Sequence, residues 1–114
     1  MMVVGMEGIT SARLRTWSEP AIALPIVVPA FNEEQRIGST LDSIETFLSG
    51  RSERTEVIVV DDGSIDATGE VAAASTCPNL HVIRLDRNMG KGYAVRIGML
   101  AASAGSVLHS HRSQ

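Results

Sequence analysis

The sequence predicts an α/β fold: an open, doubly wound parallel sheet with alternating helices. Three observations carry this. Short apolar runs rich in β-branched residues recur as ALPIVVPA, EVIVV and HVIRL. Each is followed by a segment with helical character. The apolar residues within EVIVV are continuous rather than alternating, as in a strand covered on both faces. Strand and helix in strict alternation imply parallel strands joined by right-handed crossovers.

The first strand is expected over about residues 24–29, ended by Pro29, with Pro25 near its start where a missing N–H is tolerated. A helix follows. Asn32 is placed as its N-cap, with Gln35 three residues on and Glu33 and Glu34 in the first turn. Ile37, Leu41, Ile44 and Leu48 form one apolar stripe, and Gly50 is the expected stop. The second strand covers residues 56–60. The second helix is expected over 64–75, with Val71 and several alanines turned inward. The third strand covers 81–85, and residues 88–92 make a tight connection. The third helix is expected over about 91–103, with Val95, Met99 and Ala102 on one face and Gly98 allowing close approach to the sheet.

A chain of 114 residues fits one domain. With 44% hydrophobic and 20% charged residues it has the composition of a globular chain. The net charge of −3 and the lack of a long basic run argue against nucleic acid as a partner. Aromatic residues, at 4%, are too few for a stacking platform. Cys77 is the single cysteine, so no disulfide forms within the chain, which suits a reducing compartment. No apolar stretch approaches the roughly 18 residues of a transmembrane helix. The first residues lack the basic segment of a signal peptide. A cytoplasmic location is therefore expected. Residues 1–22 have no clean period and read as an irregular leader. Trp17 and Cys77 read as packing residues.

Ligands of an open parallel sheet bind at the carboxyl ends of its strands. The polar clusters PAFNEE, DDGS and DRNMGKG all fall there. Asp61 and Asp62 directly follow four apolar residues. An ionised carboxylate only accepts hydrogen bonds. It suits ribose hydroxyls or a base N–H and repels a phosphate, so the pair points to the nucleoside end of a nucleotide. Gly63 permits a sharp turn and close approach. The plainer roles are a solvated strand end for Asp61 and Asp62, an N-cap for Asp66, and helix capping for Asn32, Glu33 and Glu34. GKGYAV fits neither common glycine-rich phosphate motif: Gly92 stands where a phosphate loop needs Ser or Thr, and Val95 where a dinucleotide fingerprint needs Gly. Lys91 at a helix start can meet a phosphate or be a surface lysine in a turn. His109 and His111 have the spacing of a solvated pair more than of a metal site.

VVPAFNEEQRIGSTLDSI, EVIVVDDGSIDATGEVA and VIRLDRNMGKGYAVRIGMLAA together resemble the N-terminal half of a family 2 glycosyltransferase with the GT-A fold. The likeness is strongest to transferases that act on polyprenyl or dolichyl phosphates. It covers about residues 24–103, within a partial family domain at 23–105. It implies a Rossmann-like parallel sheet that forms a truncated GT-A nucleotide-sugar-binding half. Pro29, Phe31, Asn32 and Glu33 match the end of the family's first strand. Asp61, Asp62, Gly63 and Ser64 match its Asp-Asp-Gly-Ser. Asn88, Gly90, Lys91 and Gly92 match the loop before its third helix. By this resemblance Pro29, Phe31, Glu33, Val60 and Asp62 line the nucleotide pocket, and with Asp61 and Lys91 they make up the expected nucleotide-sugar-binding set. The resemblance implies transfer of a hexose from a UDP- or GDP-linked donor to an acceptor such as a polyprenyl phosphate, and membrane association of the complete protein. It assigns no catalytic residue.

The family continues into a fourth strand ending in Asp-x-Asp, whose acids hold Mg²⁺ or Mn²⁺ on the diphosphate. Here Asp86 is the last carboxylate, and the tail SAGSVLHSHRSQ has no such motif. The expectation is a divergent or truncated tail at 106–114, a chain inactive alone, and no metal site within it. The alternative is a receiver-like phosphoacceptor domain, which also has an acid pair after an apolar strand. Receivers place that pair after the first strand, whereas a strand and a helix precede it here.

Overall fold

A computed structural model of the chain describes residues 2–5, 24–51 and 54–103. The expectations for Trp17, for His109 and His111, for the tail at 106–114 and for most of the leader lie outside the described residues. Among the described residues seven elements follow in order: β1 (Met2–Val3), β2 (Ile26–Ala30), α1 (Ile37–Leu48), β3 (Val57–Asp61), α2 (Thr68–Ala73), β4 (Leu80–Arg84) and α3 (Lys91–Ser103). The strands form one parallel sheet in the order β1-β2-β3-β4. This is the predicted open, Rossmann-like α/β sheet.

The edge strand β1 is an addition to the expected three. It pairs Met2 with Ile26 and Val3 with Val27, and the Val4 N–H donates to the Val27 carbonyl at 2.9 Å. A two-residue strand is too short to show a period, so the sequence pattern carries no sign of it.

The period of two along β2 and β3 divides the core between the two faces of the sheet. On one face, Ile26, Val28, Ala30, Val57 and Val59 meet Ile37, Leu41 and Ile44 of α1 and Ala72 of α2. The predicted stripe of α1 is the one used, with Leu48 packed at its margin. Each of its fully buried aliphatic side chains contributes about 1.5–3 kcal/mol. On the other face, Val27, Ile58 and Val60 meet Ala94 of α3, with Ile97 and Ala102 packed around them.

The inward face of α3 differs from the expected one. Ala94 and Gly98 are buried, Val95 is half-buried, and Met99 is 44% exposed. The contact runs through the smallest side chains because the helix lies almost on the sheet. A Cβ on Gly98 would stand 2.4 Å from Val27 Cγ1 and 3.3 Å from Val60 Cγ2. Hydrophobicity points to the large residues Val95 and Met99, whereas close approach selects the small ones. The helix starts also differ. α1 begins at Ile37, not beside Asn32, and α2 spans Thr68–Ala73, not 64–75. The residues before each helix are engaged between loops.

Cys77 packs into the first core cluster, as expected. Burial, helped by the nearby carboxylates of Glu45 and Asp42, pushes its thiol up to about 11. Roughly one thiol in a thousand is then ionised at pH 8. Iodoacetamide should label Cys77 at least about a hundredfold more slowly in the folded chain than in urea. Gly98→Ala should destabilise the chain by about 1–3 kcal/mol from overpacking, partly offset by about 1 kcal/mol of helix propensity. Urea unfolding followed by circular dichroism reads the difference.

Candidate functional site

The loops after β2, β3 and β4 gather at the carboxyl edge of the sheet. The first two are sewn together. Asn32 adopts a left-handed conformation with φ 51°. Its N–H donates to Ser64 Oγ at 2.8 Å, and its Oδ1 accepts from the Ile65 N–H at 3.0 Å. The Glu33 N–H donates to Thr68 Oγ1 at 2.8 Å. The Glu34 N–H donates to Asp66 Oδ2 at 3.3 Å, while Glu34 Oε1 accepts from the Ala67 N–H at 2.8 Å.

Asn32, Glu33 and Glu34 therefore do not cap α1. Its N-cap is Arg36, which makes no side-chain capping bond. The polar groups of the first loop instead serve the second loop, and Glu34 satisfies a backbone donor at the start of α2. The N-cap of α2 is Ala67, not the expected Asp66, which stands one residue earlier and binds the first helical residue. Asp66 Oδ1 accepts from the Thr68 N–H at 2.9 Å and from the Thr68 hydroxyl. That hydroxyl, fully buried, also accepts from Glu33.

Asp61 and Asp62 are 5% and 2% exposed, so they are not a solvated strand end. They turn to opposite sides of the sheet. Asp61 faces α2. Its Oδ1 accepts from the Ser64 N–H at 3.1 Å. A Cβ on Gly69 would lie 2.6 Å from Asp61 Oδ2 and 2.4 Å from Arg84 Nε. The missing side chain at Gly69 makes room for this carboxylate and guanidinium. Arg84 also lies 3.6 Å from Glu70.

Asp62 faces the segment before α3. Its Oδ1 accepts from the Met89 N–H at 2.7 Å, and its Oδ2 accepts from the Gly90 N–H and from Asn88 Nδ2, each at 3.0 Å. Gly63, at φ 71°, lies directly under the same segment: a Cβ there would be 2.2 Å from the Arg87 carbonyl carbon and 2.4 Å from Asn88 N. The close approach that Gly63 permits is used by the chain's own backbone.

Pro29 and Val60 are register partners near the ends of β2 and β3, and both are buried. Phe31 is 43% exposed, and Lys91, the first residue of α3, is exposed. Glu33 is half-buried, with a carboxylate oxygen 3.5 Å from Arg36. Among the described residues no group of three or more His, Cys, Asp or Glu side chains is arranged to hold a metal ion. The described residues do not fit the Mg²⁺ or Mn²⁺ that the resemblance implies. Thr68 and Arg84 are structural partners that the sequence pattern did not single out; Thr68, like Ser64, fell inside the expected second helix.

Hydrogen bonds hold the Asp66 carboxyl below its ordinary value of 3.8, the Thr68 hydroxyl foremost and the Thr68 and Glu34 amides after it, against an opposing effect of burial. A lowered folded-state value means that the ionised form supports the fold. That support is present above the ordinary value and is lost as pH falls through the lowered one. The difference in melting temperature between the wild-type chain and Asp66→Asn should therefore be largest near neutral pH and shrink below about pH 4. Thermal melts of both proteins across that range check it.

Comparison with known proteins places this geometry in a family. Residues 26–108 match the family described as Glycosyl transferase family 2. The chain is 45% identical over 98 residues to a dolichyl-phosphate beta-glucosyltransferase of Drosophila melanogaster, covering 78% of this chain and 30% of that protein. It is 38% identical over 101 residues to the human protein of the same name, covering 81% of this chain and 31% of the relative. A dodecaprenyl-phosphate galacturonate synthase of Rhizobium johnstonii is 34% identical over 87 residues, covering 69% of this chain and 24% of that protein. The chain thus spans about 30% of the length of the glucosyltransferase relatives. No helix among the described residues is long and apolar enough to cross a membrane. The match covers every element from β2 to α3, and with it the three loops at the carboxyl edge: the chain belongs to glycosyl transferase family 2.

Proposed function

We propose that this chain supplies the nucleotide-sugar-binding part of a glycosyltransferase that moves a hexose from a nucleotide diphosphate sugar to a polyprenyl phosphate. The observation that carries the reading is the junction of three polar loops at the carboxyl edge of a parallel sheet, where open α/β sheets bind their ligands. The pocket in this proposal comprises Pro29, Phe31, Glu33, Val60, Asp61, Asp62 and Lys91. The names of the relatives favour glucose as the sugar and a lipid phosphate as the acceptor. A lipid acceptor places the complete enzyme at a bilayer surface. The donor is a UDP- or GDP-linked sugar, and the acid-rich edge favours its nucleoside end over its phosphates.

The chemistry open to these residues is binding and orientation. Buried Pro29 and Val60 give the crevice a rigid floor. Phe31 offers an exposed ring, and Lys91 an exposed cation at the start of α3. Holding donor and acceptor in reacting geometry can account for about 7–11 kcal/mol of barrier lowering. A Mg²⁺ or Mn²⁺ ion bound in the complete domain would offset charge on the leaving diphosphate. The receiver alternative finds no support in the fold or in the relatives.

Titration calorimetry with UDP and with GDP tests the proposal. One of the two should bind weakly to the wild-type chain, and Asp62→Ala should lower that affinity about tenfold or more. Equal binding by the wild type and Asp62→Ala would remove Asp62 from the site, and no binding of either nucleotide would sink the proposal.

A further inference from the structure

Thr68 and Asp66 stand outside the residues of the proposed pocket, yet both are spent on the backbone of the loop that carries Glu33. We infer that Thr68, oriented by Asp66, is a positioning residue for the nucleotide crevice: it fixes the first loop at Glu33 and so sets how the Glu33 side chain meets the nucleotide. The inference rests on the nucleotide reading above and gives a role within it to two residues that do not touch the nucleotide themselves.

The Thr68 hydroxyl joins the two loops. It belongs to a fully buried residue, accepts from the Glu33 N–H at 2.8 Å and donates to Asp66 Oδ1. A hydroxyl has one proton to give, and an ionised carboxylate can only accept. Asp66 therefore draws the proton of Thr68 to itself and leaves a lone pair of that oxygen for Glu33. The second oxygen of Asp66 accepts from the Glu34 N–H at 3.3 Å. The β-branched Thr68 is stiff at χ1, which holds the hydroxyl in place.

The first loop needs these acceptors. It leaves β2 after Ala30 and turns at the left-handed Asn32, and α1 begins only at Ile37. The N–H groups of Glu33 and Glu34 thus fall in neither helix nor strand. The Glu33 carbonyl is already engaged, accepting from the Arg36 N–H at 2.9 Å and the Ile37 N–H at 2.8 Å. With Thr68 on its N–H, Glu33 is pinned on both sides of its Cα. Its carboxylate stays at the surface, 3.5 Å from Arg36 and 22% exposed. A fixed backbone under a partly exposed acid suits a group held out to a ligand.

A double-mutant cycle separates positioning from mere support of the fold. The proteins are wild type, Thr68→Val, Thr68→Ser, Glu33→Gln and the Thr68→Val, Glu33→Gln pair, and the probes are UDP and GDP, titrated at a temperature where circular dichroism shows each protein folded. Thr68→Val, which leaves the Glu33 N–H without its acceptor, should lower affinity about tenfold. Thr68→Ser keeps the hydroxyl and should stay within about threefold of wild type. In the Glu33→Gln background Thr68→Val should cost almost nothing further. Unchanged affinity in folded Thr68→Val would overturn the inference, whatever its melting temperature. So would a Thr68→Ser protein as weak as Thr68→Val, unchanged affinity in Glu33→Gln, or losses that multiply in the pair. If the wild type binds neither nucleotide, the nucleotide reading fails separately, and hydrogen exchange decides the positioning: the Glu33 amide should exchange about tenfold or more faster in Thr68→Val than in wild type, relative to amides of β3, and an unchanged rate refutes it. If Thr68→Val does not fold, Asp66→Asn decides, since it keeps the hydroxyl but removes the charge that orients it. Unchanged nucleotide affinity in Asp66→Asn would then refute the role.

Discussion

A carboxylate cut off from water at the end of a parallel strand must find donors, because an uncompensated buried charge is costly. Asp62 finds them in the segment before α3. That one requirement sets the approach of the third loop to the second, and with it the place where α3 enters the sheet surface. The helix then runs across β2 and β3 on its small residues. Asp61, one residue earlier, turns to the other side, where its Oδ1 accepts from the Ser64 N–H and the missing side chain at Gly69 leaves room for its carboxylate. Adjacent acids thus hold opposite faces of one strand end, a division that follows from the period of two.

Most of the scaffold was readable before the structure. The β-branched runs gave β2, β3 and β4, and the continuous run of β3 gave its burial on both faces, because doubly covered strands need apolar residues on each. The stripe Ile37, Leu41, Ile44 and Leu48 gave the buried side of α1. Gly98 announced the close packing of α3. The inward face of that helix was misplaced because contact at short range is made by Ala94 and Gly98, which contribute little to any hydrophobic pattern.

The site was readable as a location and less so as a set of contacts. Asn32, Glu33 and Glu34 have the composition of a helix start, and nothing local distinguishes a carboxylate that caps its own helix from one that serves a loop 33 residues away. The outcome turned on the sheet register, which sets Ala30 beside Asp61 and so brings the two loops together. The burial of Asp62 was likewise decided by a partner remote in sequence, the 88–90 segment, whose position depends on β4.

The bonds between the first two loops have a consequence for how the chain acquires its site. Asn32 and Ser64 are 32 positions apart, and Glu33 and Thr68 are 35 apart. Neither pair can meet until the crossover through α1 has closed and β2 lies beside β3, so the entropy of closing that long loop is spent before either contact forms. The edge that gathers the polar groups is therefore assembled late in folding. It cannot exist as a local fragment, and a lesion far away, in the packing of α1 on the sheet, would dismantle it as surely as one within it.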